Sequence, residues 1–254
     1  MNFEILKELT LYSPINKKIR LGREEDGGYV IVDGYDYDCF ISVGTANEVS
    51  FEVAFAEKYQ NIPSIAFDGT TDRPDRLSEN IDYVKKFVGT TDSEKTTNLI
   101  NYVKDYDDVF IKMDIEGAEW AWIKSFKDSL KRVGQITFEA HAIFPDKLSA
   151  IKKKAHCQGL SLGDFQKSVL EGLRILNESH YLVHVYENNR AQLVDIGDTK
   201  CPDFLILTFI RKDYGIDGLN TERLPINGID FPCYKSVPPL PFDINAWPFV
   251  FSKE

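Results

Sequence analysis

The sequence predicts an α/β protein: a Rossmann-like, seven-stranded, mostly parallel sheet that closes with a C-terminal antiparallel hairpin. Three observations carry this expectation. Over the first two thirds of the 254 residues, short β-rich runs alternate with helical patterns, as βαβ units require. The last two apolar runs, "HYLVHVYE" (180–187) and "DFLILTFIR" (203–211), are joined by a polar segment without helical periodicity, which pairs them antiparallel. With 43% hydrophobic and 13% aromatic residues, the chain is apolar enough to bury one substantial core.

The elements follow in order. "MNFEILKELTLYSPINKKIR" alternates charge with Leu and Ile as a short amphipathic helix does, and it lacks the features of a signal peptide. A Gly-Gly turn in "REEDGGYVIVDG" (23–34) leads into a strand, so residues 1–37 read as an N-terminal helix and a covering hairpin. The core, 38–211, has strands at 39–43, 64–68, 82–89 (an edge strand by its polar alternation), 108–114 and 134–141, before the closing pair. The helix after the first strand has Asn47 as its N-cap and Val49, Val53 and Ala54/Ala56 at helical spacing, and it ends near Tyr59. Helix 118–131 buries Trp122, Ile123 and Phe126, and 146–179 is a long helical region. Residues 212–254 form a tail with six of the eleven prolines, packed over the sheet by Trp247, Phe249 and Phe251. A partner-binding proline segment is the alternative for this tail.

A formal net charge of -10 argues against broad binding to nucleic acid or to an anionic membrane, and the sequence lacks the long uncharged run of a membrane span. Cys39, Cys157, Cys201 and Cys233 are far apart and form no C-x-x-C pair. That spacing suggests neither a zinc knuckle nor a disulfide framework, and it fits reduced thiols in the cytoplasm.

In open α/β sheets ligands sit outside the carboxyl ends of the strands. The first strand end, "SVGTANEVSFE", offers Gly44, Thr45 and Glu48 before a helix N-terminus. It has one glycine where a dinucleotide fingerprint has three, and no Lys-Ser/Thr of a phosphate loop. This disfavours pyrophosphate and admits a ligand without phosphate, such as S-adenosylmethionine. The second strand ends at Asp68, where a carboxylate accepts from ribose hydroxyls. After the third, Gly89, Thr90 and Asp92 stand near an adenine position or form a solvated helix cap. The fourth, "DVFIKMDIEGAEW", delivers Asp114 and Glu116. Glu119 in the first helical turn is explained by the helix dipole. Asp114 and Glu116 are not, and they suit a general base, ligands of a hard divalent cation, or partners of a polyhydroxylated substrate. The fifth strand adds Glu139 and His141 at i and i+2 on one side. Asp26 and Tyr29 from the Gly-Gly segment are placed to cover cofactor or substrate, or to make a plain hairpin. Asn188, in "YENN", lines a sugar site or makes a turn.

"IKMDIEGAEW" resembles the signature of FkbM-type class I methyltransferases, and "DGGYVI", "ISVGTANEVSFE", "AFD", "ITFEAH", "YENN" and "PDFLILTFIR" occur in the order of similar segments in that family, across roughly 20–212. The resemblance implies transfer of a methyl group from S-adenosylmethionine to a hydroxyl of a small-molecule or glycan acceptor. It places Gly44 and Glu48 at the methionine part and Asp68 on the ribose. Asp114, Glu116, Glu139 and His141 then face the acceptor, with His141 or Asp114 as base. One departure is that "SVGTAN" lacks the Asp and second Gly common in the superfamily's first motif. Two other classes remain open. One is a catalytically silent nucleoside-binding module acting through protein partners. The other is a nicotinamide-dependent oxidoreductase, which the single-glycine loop and terminal hairpin disfavour. The sequence leaves the oligomeric state, and the need for a divalent cation, undecided.

Overall fold

The computed structural model describes residues 7–144, 161–196 and 199–245. Its centre is a seven-stranded sheet whose strands are, in chain order, β1 (Cys39–Val43), β2 (Ser64–Phe67), β3 (Ile81–Val84), β4 (Val109–Met113), β5 (Val133–Ala140), β6 (His180–Glu187) and β7 (Leu205–Arg211). Their spatial order is β6-β7-β5-β4-β1-β2-β3, parallel throughout except for the antiparallel β7. This is the predicted fold class. The strand order reverses between β1 and β4, so their carboxyl ends diverge there and leave the crevice at which such sheets bind ligands.

Alternation along the strands divides the core into two layers. Cys39, Ile41 and Val43 of β1 and Val109, Ile111 and Met113 of β4 pack with α2 (Glu119–Phe126) and α3 (Leu162–Ser179). Phe40 and Phe110 point the other way, against Phe51 and Phe55 of α1 (Ser50–Lys58) and against Leu21, Tyr29 and Ile31 of a hairpin made by Lys18–Leu21 and Tyr29–Val32. That hairpin is anchored to the sheet by side chains. Gln135 Oε1 accepts from the Val32 N–H at 2.7 Å, and the Thr208 hydroxyl donates to the Val30 carbonyl at 2.7 Å. The polar residues Gln135, Thr137 and Glu139 thus alternate along β5 on the face that the hairpin covers.

Several elements differ from expectation. From Tyr12 onward the first segment is not helical: Tyr12–Pro14 pairs with Ile216–Leu219, and Lys18–Leu21 opens the hairpin. β-Pairing partners elsewhere in the chain, which the local charge alternation does not reveal, decide this stretch. Asn47 is exposed and is not the N-cap of α1; Val49 holds that position without a side-chain cap, and Glu48 Oε1 accepts from the Ser50 N–H instead. The 82–89 strand divides at Lys85, with Phe87–Val88 pairing separately with Thr96–Thr97. α2 ends at Phe126 and continues as a 3-10 helix over Lys127–Arg132. Within the polar linker between β6 and β7, Leu193–Ile196 and Thr199–Pro202 form a small hairpin. Trp247, Phe249, Phe251, Cys157 and the start of the 146–179 region lie outside the described residues. Cys39, Cys201 and Cys233 are buried free thiols. Among the described residues no helix is long and apolar enough to cross a membrane.

Candidate active site

The ends of β1 and β4 touch. Gly44 has φ +74°, and a Cβ there would lie 1.7 Å from the Asp114 carbonyl oxygen. The predicted need for glycine is therefore met by a neighbouring strand end rather than by open ligand space. Non-glycine residues adopt left-handed conformations just past three neighbouring strands: Ala46 (φ 43°), Glu116 (φ 59°) and Ala142 (φ 49°). Such conformations cost energy and cluster at functional edges.

Asp114, Glu116, Glu139 and His141 converge here. His141 Nε2 lies 3.4 Å from Glu139 Oε2, 3.7 Å from Asp114 Oδ1 and 3.7 Å from Glu116 Oε2. Side-chain exposure rises from 3% at His141 and 10% at Glu139 to 29% at Asp114 and 67% at Glu116, so the cluster opens to solvent past Glu116. Glu119, which the sequence explains by the helix dipole alone, is fully buried and meets His141 Nδ1 at 2.8 Å; the same oxygen accepts from the Ile115 and Gly117 N–H groups. The indole of Trp120 donates to the His141 carbonyl at 3.0 Å, and Phe204 packs edge-on against the imidazole at 4.7 Å. With Nδ1 committed to Glu119, Nε2 is the nitrogen presented to the cluster.

Burial and crowding set the protonation of the group. Burial, and then the charge of Asp114, pushes the Glu139 carboxyl up to about 8. Burial also raises Asp114, against the pull of His141 and Lys112. For His141, burial works downward but is outweighed by the hydrogen bond and charge of Glu119 and by Asp114 and Glu139, which raise it to about 9. The surrounding carboxylates thus favour the protonated imidazole, and burial favours the protonated Glu139 carboxyl.

The covering hairpin reaches this cluster. Burial and then the charges of Glu139 and Asp114 hold the Tyr29 phenol well above its ordinary value. Asp26 also bears on Glu139, and its Oδ2 accepts from the Tyr234 hydroxyl at 3.1 Å. Sequence reasoning missed Lys112, a single lysine in the apolar run "VFIKM" and so an anomaly that could have been flagged. It is buried beneath Asp114, 3.5 Å from the fully buried Glu52, 3.4 Å from the Gly44 carbonyl and 5.3 Å from the centre of the Tyr29 ring. The Ser42 hydroxyl donates to Glu52 at 2.5 Å and completes this polar foundation.

Other predicted residues are engaged within the protein. Asp68 accepts from the N–H groups of Ala46, Thr70 and Thr71 and from the Thr70 hydroxyl. Three of these donors fall on Oδ1 and one, from Ala46, on Oδ2, so Oδ2 keeps one acceptor direction. The donors outweigh burial and hold its pKa below the ordinary carboxylate value. Glu48 accepts from Ser50 and pairs with Arg23 at 2.8 Å. Thr45 is buried, and its hydroxyl has no partner among the described residues. Gly89 borders open space and Thr90 is exposed, while Asp92 accepts from the Thr97 hydroxyl and the Asn98 N–H. Asn188 Oδ1 accepts from the Arg190 N–H, which makes the turn after β6.

No family model matches the chain, and no curated protein matches it in sequence. Solved structures similar to it include a fibrillarin/Nop5p complex, at 13% identity over 71% of this chain and 76% of that one, with a TM-score of 0.38. Precorrin-6y C5,15-methyltransferase from Geobacter metallireducens is similar at 14% identity over 69% of this chain and 80% of its own, TM-score 0.36. The plantazolicin methyltransferase BpumL in complex with SAH gives 9% identity over 69% and 76%, TM-score 0.35. These scores are low, and the fold class rests on the strand order itself.

Proposed function

We propose that the chain is an S-adenosylmethionine-dependent O-methyltransferase of FkbM type, acting on a hydroxyl of a sugar, a glycan or another small molecule. The observation that carries this reading is the strand order β6-β7-β5-β4-β1-β2-β3 with one antiparallel strand, together with the acid and histidine cluster at its β4 and β5 ends. A dinucleotide dehydrogenase normally ends in parallel crossovers instead. The sulfonium of S-adenosylmethionine is already a strong electrophile, so the protein has to align the acceptor oxygen and take its proton. In this reading Glu139, raised to about 8, is the better base, because a carboxylate at its ordinary value is a weak one. His141, held by Glu119, orients the acceptor, and Asp114 and Glu116 bind its other hydroxyls.

The four internal hydrogen bonds on Asp68 favour one competing reading, in which the expected ribose acid has become a clamp for the β1 loop and no nucleoside binds. Calorimetric titration with S-adenosylhomocysteine, beside NAD, separates the two. Saturable binding of the first, with no response to NAD, followed by methylation of nucleotide sugars, supports the proposal. Heat from neither ligand leaves the clamp reading standing.

A further inference from the structure

We propose that Asp114, Glu139 and His141 bind a divalent transition cation, with Glu119 as the positioning residue for the imidazole. Their ligand-type atoms lie within 4.8 Å of one another. The separations of 3.4 Å and 3.7 Å from His141 Nε2 to Glu139 and Asp114 are long for hydrogen bonds. Two ligands on one cation, each about 2.1 Å from it, stand about 3.0 to 3.5 Å apart at right-angle to tetrahedral geometry. The Glu139 separation falls in that range and the Asp114 separation lies just beyond it, so small side-chain shifts would bring the three groups onto a common point.

Two further observations point the same way. Asp114 Oδ1 is buried without a hydrogen-bond partner among the described residues, a costly state for a polar atom. His141 Nε2, on a side chain only 3% exposed, faces the same cluster at 3.4 to 3.7 Å from three carboxylates. Behind the imidazole, the contact of Nδ1 with Glu119 is the carboxylate–histidine support that metal-binding histidines carry, because it fixes which nitrogen faces the ion. The cluster sets the carboxyl groups of Asp114, Glu116, Glu119 and Glu139 around one imidazole, and a dication there would favour their ionised forms.

One imidazole with two carboxylates suits Mn2+ or Zn2+ better than Ca2+, which takes oxygen ligands. Three protein ligands leave a position open toward the solvent side marked by Glu116. The role of the cation rests on the methyltransferase reading: an acceptor oxygen at the open position would bind as a more acidic hydroxyl, easing its deprotonation. That the cation binds does not rest on that reading.

The test uses the full chain, freed of metal with a chelator and titrated with Mn2+ alone, the free ion being followed by electron paramagnetic resonance. Zn2+ is titrated in parallel by calorimetry. A single saturable site is expected, weakened at least tenfold in Glu139→Gln and in Asp114→Asn, and unchanged in Asp195→Asn, whose side chain is exposed and pairs with Lys200. Circular dichroism melts identify any variant that fails to fold; Asp114, the more exposed ligand, keeps the test open should Glu139→Gln do so. No saturable site in the parent chain, or equal binding in the folded variants, overturns the proposal. Mn2+ binding without any S-adenosylhomocysteine binding would overturn the methyltransferase reading and leave the cation site intact.

Discussion

Gly44 and Asp114 meet where β1 and β4 end, and the contact couples the first strand's turn to the reactive edge. A side chain at position 44 meets the Asp114 carbonyl and must also adopt φ +74°. Gly44→Ala is therefore expected to destabilise the protein by about 3 kcal/mol or more, read from the urea midpoint. A change within about 0.5 kcal/mol, as at an unremarkable surface site, would show that the two strand ends are not packed together. That this position needs glycine was legible in the sequence as a turn requirement. What the glycine faces was not, since its neighbour lies on another strand. The same limit explains the pairing of His141 with Glu119: the sequence sets both near the active edge, but their 2.8 Å contact exists only once β5 and α2 are packed. Lys112 shows the complementary case, in which the residue stood out locally and its partner, Glu52 on α1, did not.

Six of the seven strands were legible to within two residues at each end, because each is a short apolar run bounded by polar or glycine positions. Helix ends and the edge strand were less so, because pairing decides them. Phe87–Val88 leaves the main sheet for Thr96–Thr97, and the stretch after Leu11 is drawn into strands by partners in the tail and hairpin. The tail shows how an irregular segment is held. Asn189 Nδ2 donates to the Tyr234 and Val237 carbonyls at 2.9 and 2.8 Å, and its Oδ1 accepts from the Tyr234 N–H at 3.0 Å. Arg190 stacks on the Tyr234 ring, and Arg20 of the hairpin donates to the Ile229 carbonyl at 3.2 Å. Each neutral hydrogen bond is worth about 1 kcal/mol, so Asn189→Ala should release the strap by about 2 to 3 kcal/mol. Limited proteolysis should then cut residues 226–240 about 30- to 160-fold faster, a ratio equivalent to that energy, while the melting of the sheet moves little. Equal cleavage rates in the two chains would mean that other contacts hold the tail.

At the scale of the whole molecule, stability depends on protons held far from the reactive edge. His180 opens β6 with no exposed surface; its Nε2 donates to the Val133 carbonyl at 2.8 Å, which leaves Nδ1 to accept from the Ser179 hydroxyl at 2.8 Å. The ring is thus neutral and joins β6 to the start of β5. Burial chiefly, with some repulsion from Arg211 and Lys212, lowers its pKa to about 4, against the hydrogen bond to Val133. In the unfolded chain the same ring titrates near the ordinary value of about 6.5. Between those two values the unfolded chain binds a proton that the folded protein does not, so stability rises with pH across that window and is lost as pH falls through it. The difference in pKa corresponds to about 3 kcal/mol when the pH has dropped below the lower value. Carboxylates also titrate there, so the contribution of the ring is isolated by subtraction. Urea midpoints of the parent chain and of His180→Gln, measured from pH 7 down to pH 4, should converge as the pH falls, because only the parent carries this proton-linked loss. Parallel curves would show that position 180 takes up its proton equally in both states, and that the join between β5 and β6 tolerates a charged imidazole.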